Sequence, residues 1–187
     1  MKPRRVSLLL FAVLSLPLLP LPAFAATNTI WVGADSDCGT DSLAVAINDA
    51  SIIASDYTII LIADSGQDYS DLNLSVLNRN INMTGGFAHC HDAMPGSGYS
   101  IISGAADGGS VLFVANSSTQ RTLRLEQIEL RGGNGGPSGY GGGLRISGNS
   151  SVLLYNVRIQ DNQASLGGGI ALLGGNGVRP ALALHQG

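Results

Sequence analysis

The chain has 187 residues, of which 13 are acidic, 10 are basic and 26 are glycine, with aromatic residues at 5%. That length suits one domain, and a glycine share about twice the ordinary one favours a fold of many tight turns over a helical bundle. An excess of acid argues against nucleic acid or anionic lipid as partner, because both demand clustered positive charge.

Residues 1–25 read as a secretory signal peptide. Lys2, Arg4 and Arg5 precede an apolar run from Val6 to about Leu21, and Ala23-Phe24-Ala25 supplies a small-x-small cleavage site. Pro17, Pro20 and Pro22 interrupt the run, which favours a cleaved leader over a membrane anchor. Without Lys2, Arg4 and Arg5 the basic residues number seven, all arginine, for a charge near −6. Beyond residue 26 no 20-residue apolar span follows, so no transmembrane segment is expected after cleavage. The protein is expected to be exported to the periplasm, the cell surface or the medium. There Cys38 and Cys90, its two cysteines, can close a disulfide.

Thr29-Ile30-Trp31-Val32-Gly33 predicts a short strand, followed by an acidic turn through Asp35 and Asp37. Thr40 or Asp41 is placed to cap a helix over about 41–54, in which Leu43, Ala46, Ile47, Ala50 and Ile53 recur at helical spacing. This helix is expected to shield the first apolar layer of a stacked fold. Tyr57-Thr58-Ile59-Ile60-Leu61-Ile62 reads as a buried strand opening the first coil. Leu72, Leu74 and Val76 alternate, as do Ile81 and Met83 before Gly85-Gly86-Phe87. A loop over 88–98 holds His89, Cys90, His91 and Pro95, and Tyr99-Ser100-Ile101-Ile102 resumes a strand.

From here a repeat becomes plain. Gly141-Gly142-Gly143-Leu144 returns 26 positions later as Gly167-Gly168-Gly169-Ile170. Leu123, Leu125, Ile128 and Leu130 return 29 positions later as Val152, Leu154, Val157 and Ile159. Aligning Val111 with Leu144 implies a four-residue insertion at about Thr119 to Thr122, in a corner that leaves the stack intact. Such a period marks a solenoid, whose units cannot bury their apolar faces alone. Inward residues of successive parallel coils should lie about 4.8 Å apart. Val111, Leu144 and Ile170 are thus expected in one column, Phe113, Ile146 and Leu172 in a second, and Leu123 with Val152 in a third. Asn156 and Asn162 suit corners, because Asn tolerates the left-handed conformation.

With these residues set out, the chain resembles right-handed parallel β-helix repeat proteins of the pectin-lyase-like class. It is most similar to polymorphic outer-membrane-protein repeats, which carry a Gly-Gly-Ala-Ile and a Phe-x-x-Asn element. Gly167-Gly168-Gly169-Ile170 matches the first, and Ile159-Gln160-Asp161-Asn162 matches the second with Ile replacing Phe. The resemblance covers about residues 30–175 and implies a secreted or surface-exposed, often adhesive, module. The expected fold is all-β: residues 26–56 form a strand and capping helix, 57–177 the parallel β-helix coils, and 178–187 an incomplete last segment. The expectation is of a truncated product, or of a partner or second copy covering an open carboxyl-terminal end.

Few constellations carry chemistry. His89-Cys90-His91-Asp92 offers metal-ligand side chains, but adjacent extended residues point to opposite sides and Cys38 competes for the thiol. Asp35, Asp37 and Asp41 lack the glycine and glutamate spacing of a calcium loop. Gly132 to Gly136 and Gly141 to Gly143 lack the Lys-Ser/Thr of a phosphate loop. Glu126, Glu129 and Asp161, with Arg124, Arg131, Arg145 and Arg158, are spread over separate coils, and Arg158 is expected to pair with Asp161. No catalytic residue, metal ligand or cofactor is therefore expected. The leading expectation is a non-catalytic module contacting glycans or cell-surface components through Arg145, Tyr155 and Arg158, since an aromatic ring beside guanidinium groups can stack on and hydrogen-bond a sugar. The alternatives are a polysaccharide lyase or glycoside hydrolase, and a fragment with no function of its own.

Overall fold

A computed structural model describes residues 27–52, 57–63, 69, 74–76, 80–104, 108–174 and 179–185. The leader read in residues 1–25 lies outside them, as do Ile53 and Leu72. Among the described residues eleven strands accompany one α-helix and a short 3-10 turn over Gly136–Ser138: β1 (Thr27–Val32), α1 (Leu43–Ile52), β2 (Tyr57–Ala63), β3 (Leu74–Val76), β4 (Asn80–Phe87), β5 (Ser100–Ser103), β6 (Leu112–Glu126), β7 (Ile128–Arg131), β8 (Leu144–Tyr155), β9 (Arg158–Gln160), β10 (Ile170–Leu173) and β11 (Ala181–His185). Every paired strand runs parallel to its neighbour. One sheet follows the order β1-β2-β4-β6-β8-β10, with β3 beside β6 and β11 beside β8, and a second follows β5-β7-β9. The result is an all-β parallel β-helix of about four turns.

A coil has three runs. The first half of β8 stacks between the first half of β6 and β10, its second half stacks between the second half of β6 and β11, and β9 lies on β7. Parallel pairing requires a long return between partners, and each return here is the rest of the coil. Inward residues stack in columns, among them the expected Leu123 with Val152. Ile81, Leu123, Val152 and Leu182 are one, and Ile60, Met83, Leu125 and Leu154 another. Ile60, Met83, Leu123, Leu125 and Val152 are all at most 1% exposed.

Two of the three expected columns change a member. Leu112, not Val111, lies beside Leu144, so the columns are Leu112-Leu144-Ile170 and Val114-Ile146-Leu172, while Phe113 pairs with Arg145 on the outer wall. The corner insertion lies between Asn116 and Arg121, where the register shifts against Gly148 and Ser150, and it is three residues longer than its counterpart rather than four. A single-residue slip moves every side chain of a strand to the other face, which is why Phe113 leaves the core. Val111 is still fully buried, just ahead of β6, where its amide donates to Gly142 O at 2.9 Å.

The glycine triplets serve close approach between coils as well as turning. Gly141 and Gly167 have φ of 59° and 65°, where a side chain is strained. A Cβ on Gly142 would sit 2.6 Å from Gly168 O and 2.8 Å from Gly133 O. Through this contact the ladder continues across the corner: Leu112 N donates to Gly143 O at 3.0 Å, and Leu144 N to Gly169 O at 2.8 Å. Asn156 takes φ 49° as expected, and Gln127, 29 positions earlier, takes 50° at the same corner. At the next corner Asp161 holds the left-handed angle, φ 54°, and not Asn162. Asn162 instead reaches the coil below, accepting from Gly133 N and donating to Leu130 O, both at 2.9 Å.

The helix begins at Leu43, not at 41. The Ser42 hydroxyl accepts the Val45 amide at 3.3 Å, the role expected of Thr40 or Asp41, while Thr40 Oγ1 accepts from Ser42 N. Leu43, Ala46 and Ile47 enter the same buried cluster as Val32, Ile60 and Ile62. β1 pairs with β2 in register, so the stack already starts before the helix, one rung earlier than Tyr57. Cys38 and Cys90 are disulfide-bonded across 52 positions and fasten the loop after β4 to the turn after β1. At the other end β11 supplies one more rung, with Leu182 beside Val152 and Leu184 beside Leu154.

Leu112→Ala is expected to cost about 2–5 kcal/mol in urea denaturation, and half-buried Phe113→Ala distinctly less; the reverse order would restore the slipped register. Replacing both cysteines with serine is expected to cost about 4 kcal/mol on the chain-entropy estimate, measured by the same unfolding curves.

Candidate functional site

The outer wall is built by the alternate residues of strands whose inner residues are fixed in the core. Arg145 lies on the first run of its coil, Tyr155 on the second and Arg158 on the third. The structure does not gather them into one patch. Each instead joins a partner in another coil. Arg145 stands over the Phe113 ring, 4.6 Å from its centroid. Tyr155 is stacked on His185 at 4.5 Å and 6° on one side, and Arg124 lies 4.2 Å over its ring from the coil on the other side. Arg158 lies 4.0 Å over Tyr99, whose hydroxyl donates to Asn156 Oδ1 at 2.6 Å. That position replaces the expected pair with Asp161.

These pairs act as rivets between coils. A guanidinium over a ring contributes about 0.5–1 kcal/mol at an exposed site, and three such contacts cross three different faces. Both faces of Tyr155 are covered, so its ring edge and hydroxyl are what it offers to a ligand. Arg124 also binds Glu126 at 2.9 Å with both side chains about a third exposed, which screens that pair heavily.

The carboxylates are likewise separated. Glu126 is on the outer wall of the second run, and Glu129 is 6% exposed on the third, where Gln160 donates to it at 2.9 Å. Asp161 is exposed at the corner beyond. Acid–base hydrolysis of a glycoside needs two carboxyl groups about 5–10 Å apart across the scissile bond, and these three lie on a second run, a third run and a corner. The loop histidines are used for closure: His89 Nδ1 lies 3.1 Å from Asp35 Oδ2, and His91 Nε2 donates to Asp37 O at 3.0 Å. Cys90, expected to be withdrawn from any metal by a disulfide, is so withdrawn. Asp35 and Asp37 converge with the Cys38 sulfur within 4.8 Å, but that sulfur is in the disulfide, and Asp41 is not among them.

Concave places among the described residues include three. One, of about 450 Å³, opens beside Leu154, Val157, Ile159, Ile170 and Leu184, where the layer over β10 and β11 is uncovered and Leu184 is 68% exposed. A second, about 400 Å³ and open, lies by Trp31, Asp37, Asp49 and His91. The third, about 190 Å³, lies against Phe113 and Arg145 between two glycine loops. The sequence singled out Arg145 and the Gly132–Gly136 run, but neither Gly108-Gly109 nor the cavity they share. No helix among the described residues is long and apolar enough to cross a membrane.

No family model, curated protein or solved structure matches the chain. The geometry alone therefore bears on function.

Tyr155→Ala is expected to lower the melting temperature by about 2–4 °C, as loss of roughly 1 kcal/mol does in a domain of this size. A double-mutant cycle with Arg124→Ala is expected to give about 0.5–1 kcal/mol of coupling; additive effects would mean that the two side chains do not act together.

Proposed function

We propose that the chain is an exported, non-catalytic binding module whose outer wall contacts glycans or other cell-surface components. In this reading it is a right-handed coil of the pectin-lyase-like kind, with repeats like those of polymorphic outer-membrane proteins. The leader-like residues 1–25 support export. The in-register return of Gly-Gly-Gly-Leu as Gly-Gly-Gly-Ile, with Leu144 beside Ile170, supports the repeat.

One observation carries the binding reading. The wall's polar and aromatic side chains stand on strands whose opposite faces are buried, so the surface is held rigid before any ligand arrives. Little ordering entropy is then lost on contact, which favours binding by a preorganised surface. The dispersal of Glu126, Glu129 and Asp161 weighs against a lyase or hydrolase. A partner or a second copy at the uncovered layer over β10 and β11 fits the same reading.

The purified exported protein is expected to retain one or more glycans on an array, or to label whole cells, and to release neither reducing ends nor unsaturated products from pectin-like polymers with calcium. Steady product release that is lost in Asp161→Ala would replace this function with a catalytic one.

A further inference from the structure

Arg145 is half-buried, and its Nε is enclosed with no hydrogen-bond partner. Its cross-strand neighbours are Phe113 and Ala171, so neither side brings a carboxylate. Among the described residues its one partner is the Phe113 ring. The other outer-wall guanidinium with a buried, unpartnered Nε, that of Arg124, has Glu126 at 2.9 Å. The Arg145 Nε is closed to solvent, which leaves the Nη groups of Arg145 as the donors open to a ligand.

The space beside it is a formed one. Gly108 and Gly109 on one loop and Gly135 and Gly136 on the next wall a cavity of about 190 Å³ with Phe113 and Arg145. At about 30 Å³ for a water in the liquid, that is room for roughly six. Asn134 pins the two loops together, its Oδ1 accepting from Gly109 N at 3.0 Å and Gly136 N at 2.9 Å. Gly135 N donates back to Gly109 O at 3.1 Å. A Cβ on Gly136 would lie 3.0 Å from Gly109 Cα, so glycine is what lets the loops meet. Ser138 and Ser110 also line the space, with hydroxyls donating to Gly135 O and Tyr140 O and lone pairs left to accept.

We propose that this cavity binds a small monocarboxylate, its two oxygens held end-on by the two Nη groups of Arg145. The guanidinium fork matches a carboxylate in two parallel hydrogen bonds. A single cation in a chain of net negative charge suits a monoanion, where a phosphate dianion would need more positive charge. The rest of the ligand lies between the Phe113 ring edge and the glycine walls, which limits it to about the size of lactate. A hydroxyl on that ligand has Ser138 within the same cavity to accept from it. The site is independent of the surface-contact reading and adds a ligand of another class.

Calorimetric or ligand-observed NMR titration of the purified protein with lactate, acetate, glucuronate, glucose and inorganic sulfate tests it. Saturable binding of lactate or acetate is expected, weakened at least tenfold in Arg145→Gln. Arg145→Lys, which keeps the charge but not the fork, is also expected to lose most of it. Thermal melting of each variant shows that it is folded; if Arg145→Gln is not, the lysine variant decides. Binding of glucuronate but not of the free acids would break the size limit and overturn the proposal. Failure of every carboxylate, sulfate binding in their place, or carboxylate binding untouched by either variant would overturn the proposal. A glycan bound on an array alongside such failure leaves the module's proposed function standing.

Discussion

The fold depends on register between successive coils. Each inward Leu, Ile or Val is buried by the residue above and below it in its column, and burial of one such side chain is worth about 1.5–3 kcal/mol. The same register aligns the backbone ladder, from Leu112 N on Gly143 O to Leu144 N on Gly169 O. Columns and ladder cannot be satisfied separately: a strand displaced by one residue would turn its apolar side outward while offering its amides to the wrong carbonyls. Corners can therefore vary in length, as the extra residues between Asn116 and Arg121 do, provided the strands re-enter in step.

What lies outside the columns follows from this. Side chains on adjacent coils are brought to strand spacing whether or not they would choose one another, and the arginines resolve this by lying on rings. Phe113 with Arg145, Tyr155 with Arg124 and Tyr99 with Arg158 each bind one coil to another. Asn162 and Asn134 do the same with amide groups where loops meet. Much of the chemistry visible on the surface is thus cohesion between turns. Function is better sought where a group is left over, and the Arg145 guanidinium, with no carboxylate beside it, is such a group.

The ends obey the same constraint. At the amino-terminal end α1 places Leu43, Ala46 and Ile47 on the first layer, and the disulfide holds its flanking turn against the loop after β4. Over β10 and β11 Leu172 and Leu184 are 45% and 68% exposed, and among the described residues the column residues there have a neighbour on one side.

Much of this was legible in the residues. The 29-position return of Leu123, Leu125 and Leu130, the glycine triplets, the helix over Leu43, Ala46 and Ile47, and the Cys38–Cys90 bridge follow from periodicity, conformational freedom and composition, which are properties of short stretches. Tertiary structure decided what depends on an offset between stretches. Alternation says that Leu112 and Phe113 face opposite ways, but which of them faces inward is fixed by the hydrogen bonds to the next coil. The same offset set Arg145, Tyr155 and Arg158 on three faces, covered both sides of Tyr155, and brought two glycine runs together around Arg145. Sequence carries the period of a coil, whereas the phase between coils exists only once they are stacked.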